Sequence, residues 1–303
     1  MNEGQVANTE FAISHEREVA KSWRTARREI DLAKPVLMGV LNITPDSFAD
    51  GGRFFGQEAA VRRLEELQEE GADIIDIGGE STRPGSLPVT EDEELKRLAP
   101  VLEAAGRLVD VPISVDTTKA GVAEAALAAG AEIINDISGL RFNPDIGELA
   151  AQSGAGLVLM HIRGRPRTMQ EHVHYDDLLG EVVAELRQSV TRALAVGCQR
   201  SQLVVDPGIG FGKTAEQNLV LISELGRLTE LGCPILIGPS RKSFIGKTLG
   251  LAVEDRLEAT IAACVVGLVR GARIFRVHDV RPARRALDMA EAILSQVNGG
   301  EST

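Results

Sequence analysis

Several things are scarce in this sequence, and each shortage removes a class of protein. Aromatic residues make up only 3% of the 303 residues, with one Trp and one Tyr, so branched aliphatics must fill the core. The three cysteines, Cys198, Cys233 and Cys264, are odd in number and have no CxxC spacing, which tells against a disulfide framework and a zinc site. No run reaches the roughly 18 apolar residues of a membrane span. The N-terminal MNEGQVANTEF is polar and lacks the apolar centre of a signal peptide. Basic charge is also in deficit: the formal net charge is −11, against general binding of nucleic acid or anionic membrane. The expected setting is soluble, reducing and cytoplasmic.

Glycine and aliphatic residues are plentiful instead. With 31 Gly and 44% hydrophobic residues, the chain can build one barrel-sized domain or two smaller ones. Residues 1–34 are polar and carry no strong period; they read as an N-terminal extension, with a hairpin expected over 23–32. From Pro35 one theme repeats. Short apolar runs occupy 36–43, 72–78, 111–115, 132–137, 156–160, 203–205, 234–237 and 272–277. Helix-like segments separate them, such as 57–70, apolar at Ala60, Val61, Leu64 and Leu67, and 176–196. Gly71, Gly130, Gly154, Gly232 and Gly271 stand just before the next run, where helices end. Eight such units over about 260 residues predict an α/β fold, a (β/α)8 TIM barrel over 35–297. A doubly wound sheet shares the alternation, but it carries fewer parallel strands and one dominant phosphate loop, and no loop dominates here.

The first run is followed by the most informative loop. VLMGVLN turns polar at Asn42 and runs into a long acidic, glycine-rich stretch with Phe48 and Asp50, far beyond the two to six residues of an ordinary strand-to-helix connection. Polar residues close nearly all the other runs as well. They are Gly79 to Gly85 (GESTRPG), Asp116, Asn135 with Asp136, His161, Asp206, Ser240-Arg241-Lys242, and Arg276 with His278 and Asp279. In a barrel these ends converge on one face, where barrel active sites lie.

That set divides into two chemical halves. Asp116, Asn135 and Asp206 offer acceptors and one amide, matching a planar heterocycle with an amino-pyrimidinone edge; capping the helix near Thr118 is the ordinary alternative for Asp116. Arg53, Arg83, Arg241, Lys242, Arg276 and His278 are cationic and suit a polyphosphate or carboxylate. Arg276 and His278 stand at i and i+2 and so share a face, while Val277 points the other way. Surface solvation is the plain reading for Arg241. Gly208 to Thr214 (GIGFGKT) imitates a phosphate-binding loop, but its first required glycine is Pro207. His172 and His174 lack a third ligand, and Ser81-Thr82 lacks a histidine, so a metal site and a Ser-His hydrolase are both unsupported.

Taken in order, MGVLNITPDSFADGG, GADIIDIGGESTRPGS, PISVDTTK, INDISG, LMHIRGRPRTMQ, DPGIGFGK, IGPSRKSFIG and RVHDV resemble the motif set of the dihydropteroate synthases, over nearly the whole chain from Pro35. The resemblance implies a barrel that condenses 7,8-dihydropterin-6-ylmethyl diphosphate with 4-aminobenzoate, releasing diphosphate in folate synthesis. It implies a pterin pocket of Asp116, Asn135, Asp206 and Lys242. Asn42, Arg276 and His278 would hold diphosphate, with Asn42 and Asp50 near Mg²⁺, the implied cofactor. Thr82, Arg83, Pro84, Ser240, Phe48 and Phe211 would surround the aminobenzoate. Lys242, Arg276, His278 and Asp50 are then the catalytic candidates, and the first loop becomes a lid that orders last. The resemblance further implies small-molecule partners only, a sulfonamide target and a homodimer; 258–270 is apolar nearly all round, as deep burial or an oligomer face requires. A catalytically silent pterin-binding paralogue and a barrel that binds methyltetrahydrofolate for methyl transfer are the competing readings.

Overall fold

The structure is a computed structural model that describes residues 21–44, 52–171 and 173–298, with side chains described over 21–44, 57–171 and 173–296. Two short strands come first: β1 (Ser22–Arg24) and β2 (Glu29–Asp31) pair antiparallel, with Ser22 opposite Asp31. Eight parallel strands follow: β3 (Val36–Asn42), β4 (Ile74–Gly78), β5 (Ile113–Asp116), β6 (Ile133–Asp136), β7 (Gly156–Met160), β8 (Leu203–Asp206), β9 (Leu236–Ile237) and β10 (Ile274–Val277). Their order is β8-β7-β6-β5-β4-β3-β10-β9, and a bridge between Val205 and Ile235 spans the remaining gap, closing the barrel.

The helices lie outside: α1 (Gly52–Glu69), α2 (Glu91–Leu108), α3 (Ala120–Ala128), α4 (Asp145–Ser153), α5 (Leu178–Ala195), α6 (Ala215–Ser223), α7 (Ser243–Leu249), α8 (Leu257–Val269) and α9 (Val280–Asn298). This is the (β/α)8 architecture. No helix among the described residues is long and apolar enough to cross a membrane.

Several strands begin two residues later than the apolar runs do, and the helix ends explain why. After α1, Gly71 (φ 96°) bonds back to Gln68 and Ala72 to Leu67. After α8, Gly271 (φ 97°) bonds to Leu268 and Ala272 to Gly267. These are helix-terminating motifs in which glycine takes the left-handed turn and the next apolar residue packs back on the helix. Ala72 and Ala272 are buried by that closure rather than by strand pairing.

Alternation along each strand then sorts side chains into two cores. Leu37, Ile75, Ile77, Val115, Leu157, Val205, Phe275 and Val277 face the helices. Met38, Ile74, Ile133, Val158, Val204, Leu236 and Ile274 fill the lower barrel interior. The hairpin closes that end. Trp23 is 0% exposed and donates its indole N–H to the Gln202 carbonyl at 2.7 Å. Its ring lies 3.0 Å from where a Cβ on Gly156 would stand, so only glycine lets it seat. Arg28 pairs with the buried Glu132 at 2.7 Å, fastening the hairpin to β6.

Candidate active site

One strand repeat above the apolar layer, the barrel interior changes character. Ile74 is followed on the same face by Asp76, Ile133 by Asn135, Val204 by Asp206, Ile274 by Arg276, and Ser114 by Asp116. At about 3.3 Å per residue, this polar layer sits roughly 6–7 Å above the plug. Its hydrogen bonds cross the barrel. Arg276 donates from Nε to Asp76 Oδ2 at 2.6 Å and from Nη2 to Asp116 Oδ2 at 2.8 Å. Asn135 donates to the same Asp76 oxygen at 3.0 Å.

Asp76 therefore organises the layer, a residue absent from the expected pocket. It lies inside the apolar run 72–78, between Ile75 and Ile77. The i+2 relation to Ile74, shared with the other polar residues of the layer, was the available signal. Asp76 Oδ1 and Ser114 Oγ are buried and have no partner among the described residues.

Lys242 enters from the loop after β9. Arg241 has φ 55°, a left-handed conformation uncommon for a side chain of this size. That turn separates neighbours: Arg241 points outward and grips Asp279 through Nε at 2.8 Å, as its plain surface reading required, whereas Lys242 points inward. Lys242 donates to the Ile209 carbonyl, and its ammonium lies 4.4 Å from the centre of the Phe211 ring. Burial lowers Lys242 to about 7 against the pull of Asp206. Burial likewise raises Asp116 to about 7, opposed by Arg276, and raises Asp206, opposed by Lys242. Three carboxylates face two cations, which leaves acceptors to spare for a ligand rich in N–H groups.

The outer half is more open. Ser240 is buried; its Oγ accepts the His278 backbone N–H at 3.2 Å and stands 3.0 Å from His278 Nδ1. Ser240 Oγ can both accept the backbone N–H and donate its own proton, and when the hydroxyl donates to Nδ1 the imidazole proton resides on Nε2. Burial, and then the Arg276 charge, lower His278 to about 4. At neutral pH His278 is thus an uncharged donor, whereas its grouping with the cations had assumed a charge. Arg276, grouped with it as a diphosphate ligand, is committed to the two interior carboxylates and leaves its Nη1 donors for ligand.

Asn42 ends β3 half-exposed, its amide oxygen directed past Gly78. Thr82 lines a cavity of about 290 Å³ together with Asp116, Thr117, Ile137, Phe142 and Arg165. Arg83 and Pro84, next in the chain, are exposed. Phe48 and Asp50, and with them the expected lid, lie outside the described residues, as does the Arg53 side chain.

A barrel whose upper interior carries carboxylates, an amide and two cations over an apolar floor is built to hold a planar, donor-rich heterocycle. The chain belongs to the pterin binding enzymes, whose family model matches residues 38–278. Within that family its relatives are dihydropteroate synthases. It is 48% identical over 258 residues to the dihydropteroate synthase of Synechocystis, covering 85% of this chain and 89% of the relative. The solved dihydropteroate synthase of Xanthomonas albilineans with 4-aminobenzoic acid superimposes with a TM-score of 0.85 at 43% identity, over 90% of this chain and 99% of that one. The Yersinia pestis dihydropteroate synthase with a sulfonamide drug gives a TM-score of 0.85 at 40% identity, over 90% and 99% of the two chains.

Proposed function

We propose that this chain works as a dihydropteroate synthase, condensing 7,8-dihydropterin-6-ylmethyl diphosphate with 4-aminobenzoate to give 7,8-dihydropteroate and diphosphate. The observation that carries the reading is the polar layer of Asp76, Asp116, Asn135 and Asp206 around Arg276 and Lys242. The carboxylates and the amide take the amino-pyrimidinone edge, and Lys242 donates to the ring carbonyl. Ser240, Thr82, Arg83, Pro84 and Phe211 surround the aminobenzoate. The 4-aminobenzoic acid bound to the Xanthomonas relative supports that half of the assignment.

The reaction is a substitution at the pterin methylene. The C–O bond to diphosphate breaks with its electron pair going to the leaving oxygen, and the aryl amine forms the new C–N bond and releases a proton. The ring nitrogens spread the positive charge that develops on the methylene carbon, so no protein nucleophile is needed. The Nη1 donors of Arg276 and the Nε2–H of His278 take the charge growing on the diphosphate, and such donors matter most when they are already aimed. Asp76 and Asp116 hold the Arg276 guanidinium in place before substrate arrives.

Mg²⁺ fits as a companion of the diphosphate. Asn42 offers one hard oxygen at the strand end, and the described residues contain no group of three His, Cys, Asp or Glu able to hold a metal alone. An ion that keeps several waters and binds mainly through substrate phosphates needs no more than that. Bound there, Mg²⁺ would neutralise charge on the leaving group.

The same reading includes a homodimer. Val266 and Val269 of α8 are 45% and 57% exposed, although Cys264 and Leu268 on the same helix are buried, so α8 carries an outer apolar stripe suited to a twofold contact. Three free, buried cysteines suit the reducing cytoplasm. The sulfonamide bound to the Yersinia relative supports sensitivity to that class. One assay tests the activity: purified protein, pterin diphosphate, 4-aminobenzoate and Mg²⁺ should yield dihydropteroate and diphosphate in equal amounts. A silent pterin-binding paralogue or a methyltetrahydrofolate barrel would yield neither.

A further inference from the structure

The glycine-rich loop after β8 is no phosphate cradle, because its lysine turns inward. Lys213 is 3% exposed. Its Nζ lies 2.9 Å from His161 Nδ1, 3.1 Å from the Gly208 carbonyl and 3.0 Å from the Phe211 carbonyl. Three acceptors thus meet the three donors of one ammonium group. With Lys213 charged, His161 accepts at Nδ1 and carries its proton on Nε2, which faces Glu185 Oε2 at 3.3 Å. Glu185 is held in turn by Arg141 and Arg163, each at 2.9 Å.

The two carbonyls that Lys213 binds belong to a loop with defined duties. The Gly208 N–H donates to Asp206 Oδ1 at 2.7 Å. Phe211 presents its ring to the Lys242 ammonium. Gly208 (φ 69°) is pressed against β7 so closely that a Cβ would stand 1.8 Å from the His161 carbonyl oxygen. Lys213 therefore joins the end of β7, the glycine that orients Asp206 and the backbone of Phe211 at a single nitrogen. Burial lowers it to about 7, with Asp206 opposing and Lys242 reinforcing the shift. A methionine would fill the same space without that desolvation cost.

We infer that Lys213 is a positioning residue: through His161 and the carbonyls of Gly208 and Phe211 it sets the Asp206 carboxylate and the Phe211 ring, and so governs binding of both substrates while touching neither. The inference rests on the reading that gives Asp206 to the pterin and Phe211 to the aminobenzoate.

The test is steady-state kinetics of Lys213→Met, of equal reach but without donors, beside its melting curve. The KM for each substrate should rise about tenfold or more, the worth of one charged hydrogen bond, in a protein that still melts cooperatively. His161→Leu should reproduce the loss, His161→Gln, whose amide oxygen can accept the same bond, should restore much of it, and the Lys213→Met/His161→Leu double variant should be no worse than either alone. A folded Lys213→Met with both KM values within twofold of the original overturns the inference. If Lys213→Met does not fold, His161→Leu decides by the same limits. Asp206→Asn separates the two failures. If it leaves affinity for a pterin fragment unchanged, the pocket reading is wrong; if it destroys that affinity while Lys213→Met keeps both KM values, only the positioning role is wrong.

Discussion

The lower and upper layers of the barrel interior are built by the same strands with the same alternation, and they have opposite chemistry. Below, Met38, Ile74, Ile133, Val158, Val204, Leu236 and Ile274 pack against one another, sealed by Trp23. Two residues further along the same strands stand Asp76, Asn135, Asp206 and Arg276. The lower layer is indifferent to which ligand is bound and serves to hold the strands in register. The upper layer buries charge that water would solvate better, and its cost is tolerable only because the groups are paired and because a ligand completes them. The position of a side chain along a strand, more than its identity, decides whether its loss damages the fold or the site.

Removing Arg276 should break that division most severely. Arg276→Ala leaves Asp76 and Asp116 buried without their cation, a change expected to cost about 3–5 kcal/mol of stability. Turnover should also fall by roughly 10²–10³, the usual effect of losing a donor aimed at a leaving group. Chemical denaturation and initial rates measure the two losses; turnover within a factor of two would remove Arg276 from the chemistry.

In the lower layer, Trp23→Ala should cost about 3–5 kcal/mol through the cavity it opens and the Gln202 bond it deletes, yet leave both KM values unchanged in the folded fraction. If KM for the pterin substrate moved in parallel with stability, the two layers would not be separable.

The upper layer should also respond to pH where the lower one does not. Asp116 sits near 7 in the fold and near 3.8 when unfolded, so between those values the native state holds a proton that the unfolded chain has released. Its contribution to unliganded stability is therefore present at low pH and lost as pH rises toward 7, at no more than about 1.4 kcal/mol per pH unit. A pterin ligand needs the ionised acceptor, so affinity for a pterin fragment should climb through the same window and level off above it. Asp116→Asn should make both curves shallower, leaving the share of Asp206, whose carboxyl is also raised by burial. Melting and calorimetry read the two curves; an unchanged affinity profile would assign the titration elsewhere.

Most of this layer was legible because strand periodicity is a local property. Asn135, Asp206 and Arg276 each stand two residues past an apolar residue of the same strand, Asp116 ends its strand, and convergence of strand ends is a rule of the barrel. Asp76 obeys the same step but stands alone between Ile75 and Ile77, whereas Arg276, also between apolar residues, is marked by His278 two positions on. Arg241 read as a surface charge and Lys242, through the resemblance, as a pocket residue; the left-handed φ of Arg241 that turns the two apart is announced by no neighbouring residue. The role of Lys213 was hidden for a related reason. Positive φ at Gly208, Gly210 and Gly212 curls the loop until its lysine faces inward, and glycine permits such a path without specifying it. The strand limits erred by two residues where Ala72 and Ala272 cap helices, since an apolar residue closing a helix and one opening a strand look alike.

The smallest expected effect is the sharpest test of the outer half. His278 is neutral in the unliganded protein, lowered to about 4 by burial first and by Arg276 second. Its Nε2–H points away from the Ser240 bond, and a diphosphate placed there brings negative charge that favours the imidazolium. Binding should then raise the pKa toward neutrality, so diphosphate affinity should increase as pH falls and each binding event should take up a fraction of a proton. Calorimetry at pH 6 in two buffers of different ionisation enthalpy measures that fraction directly. His278→Gln keeps a donor in the same region and removes the titration, so uptake should vanish while affinity drops only severalfold, a change of about 1 kcal/mol. Equal heats in the two buffers with the unaltered protein would mean that His278 stays neutral throughout, acting by geometry alone, and that Arg276 is the only cation of the pair to meet the leaving group.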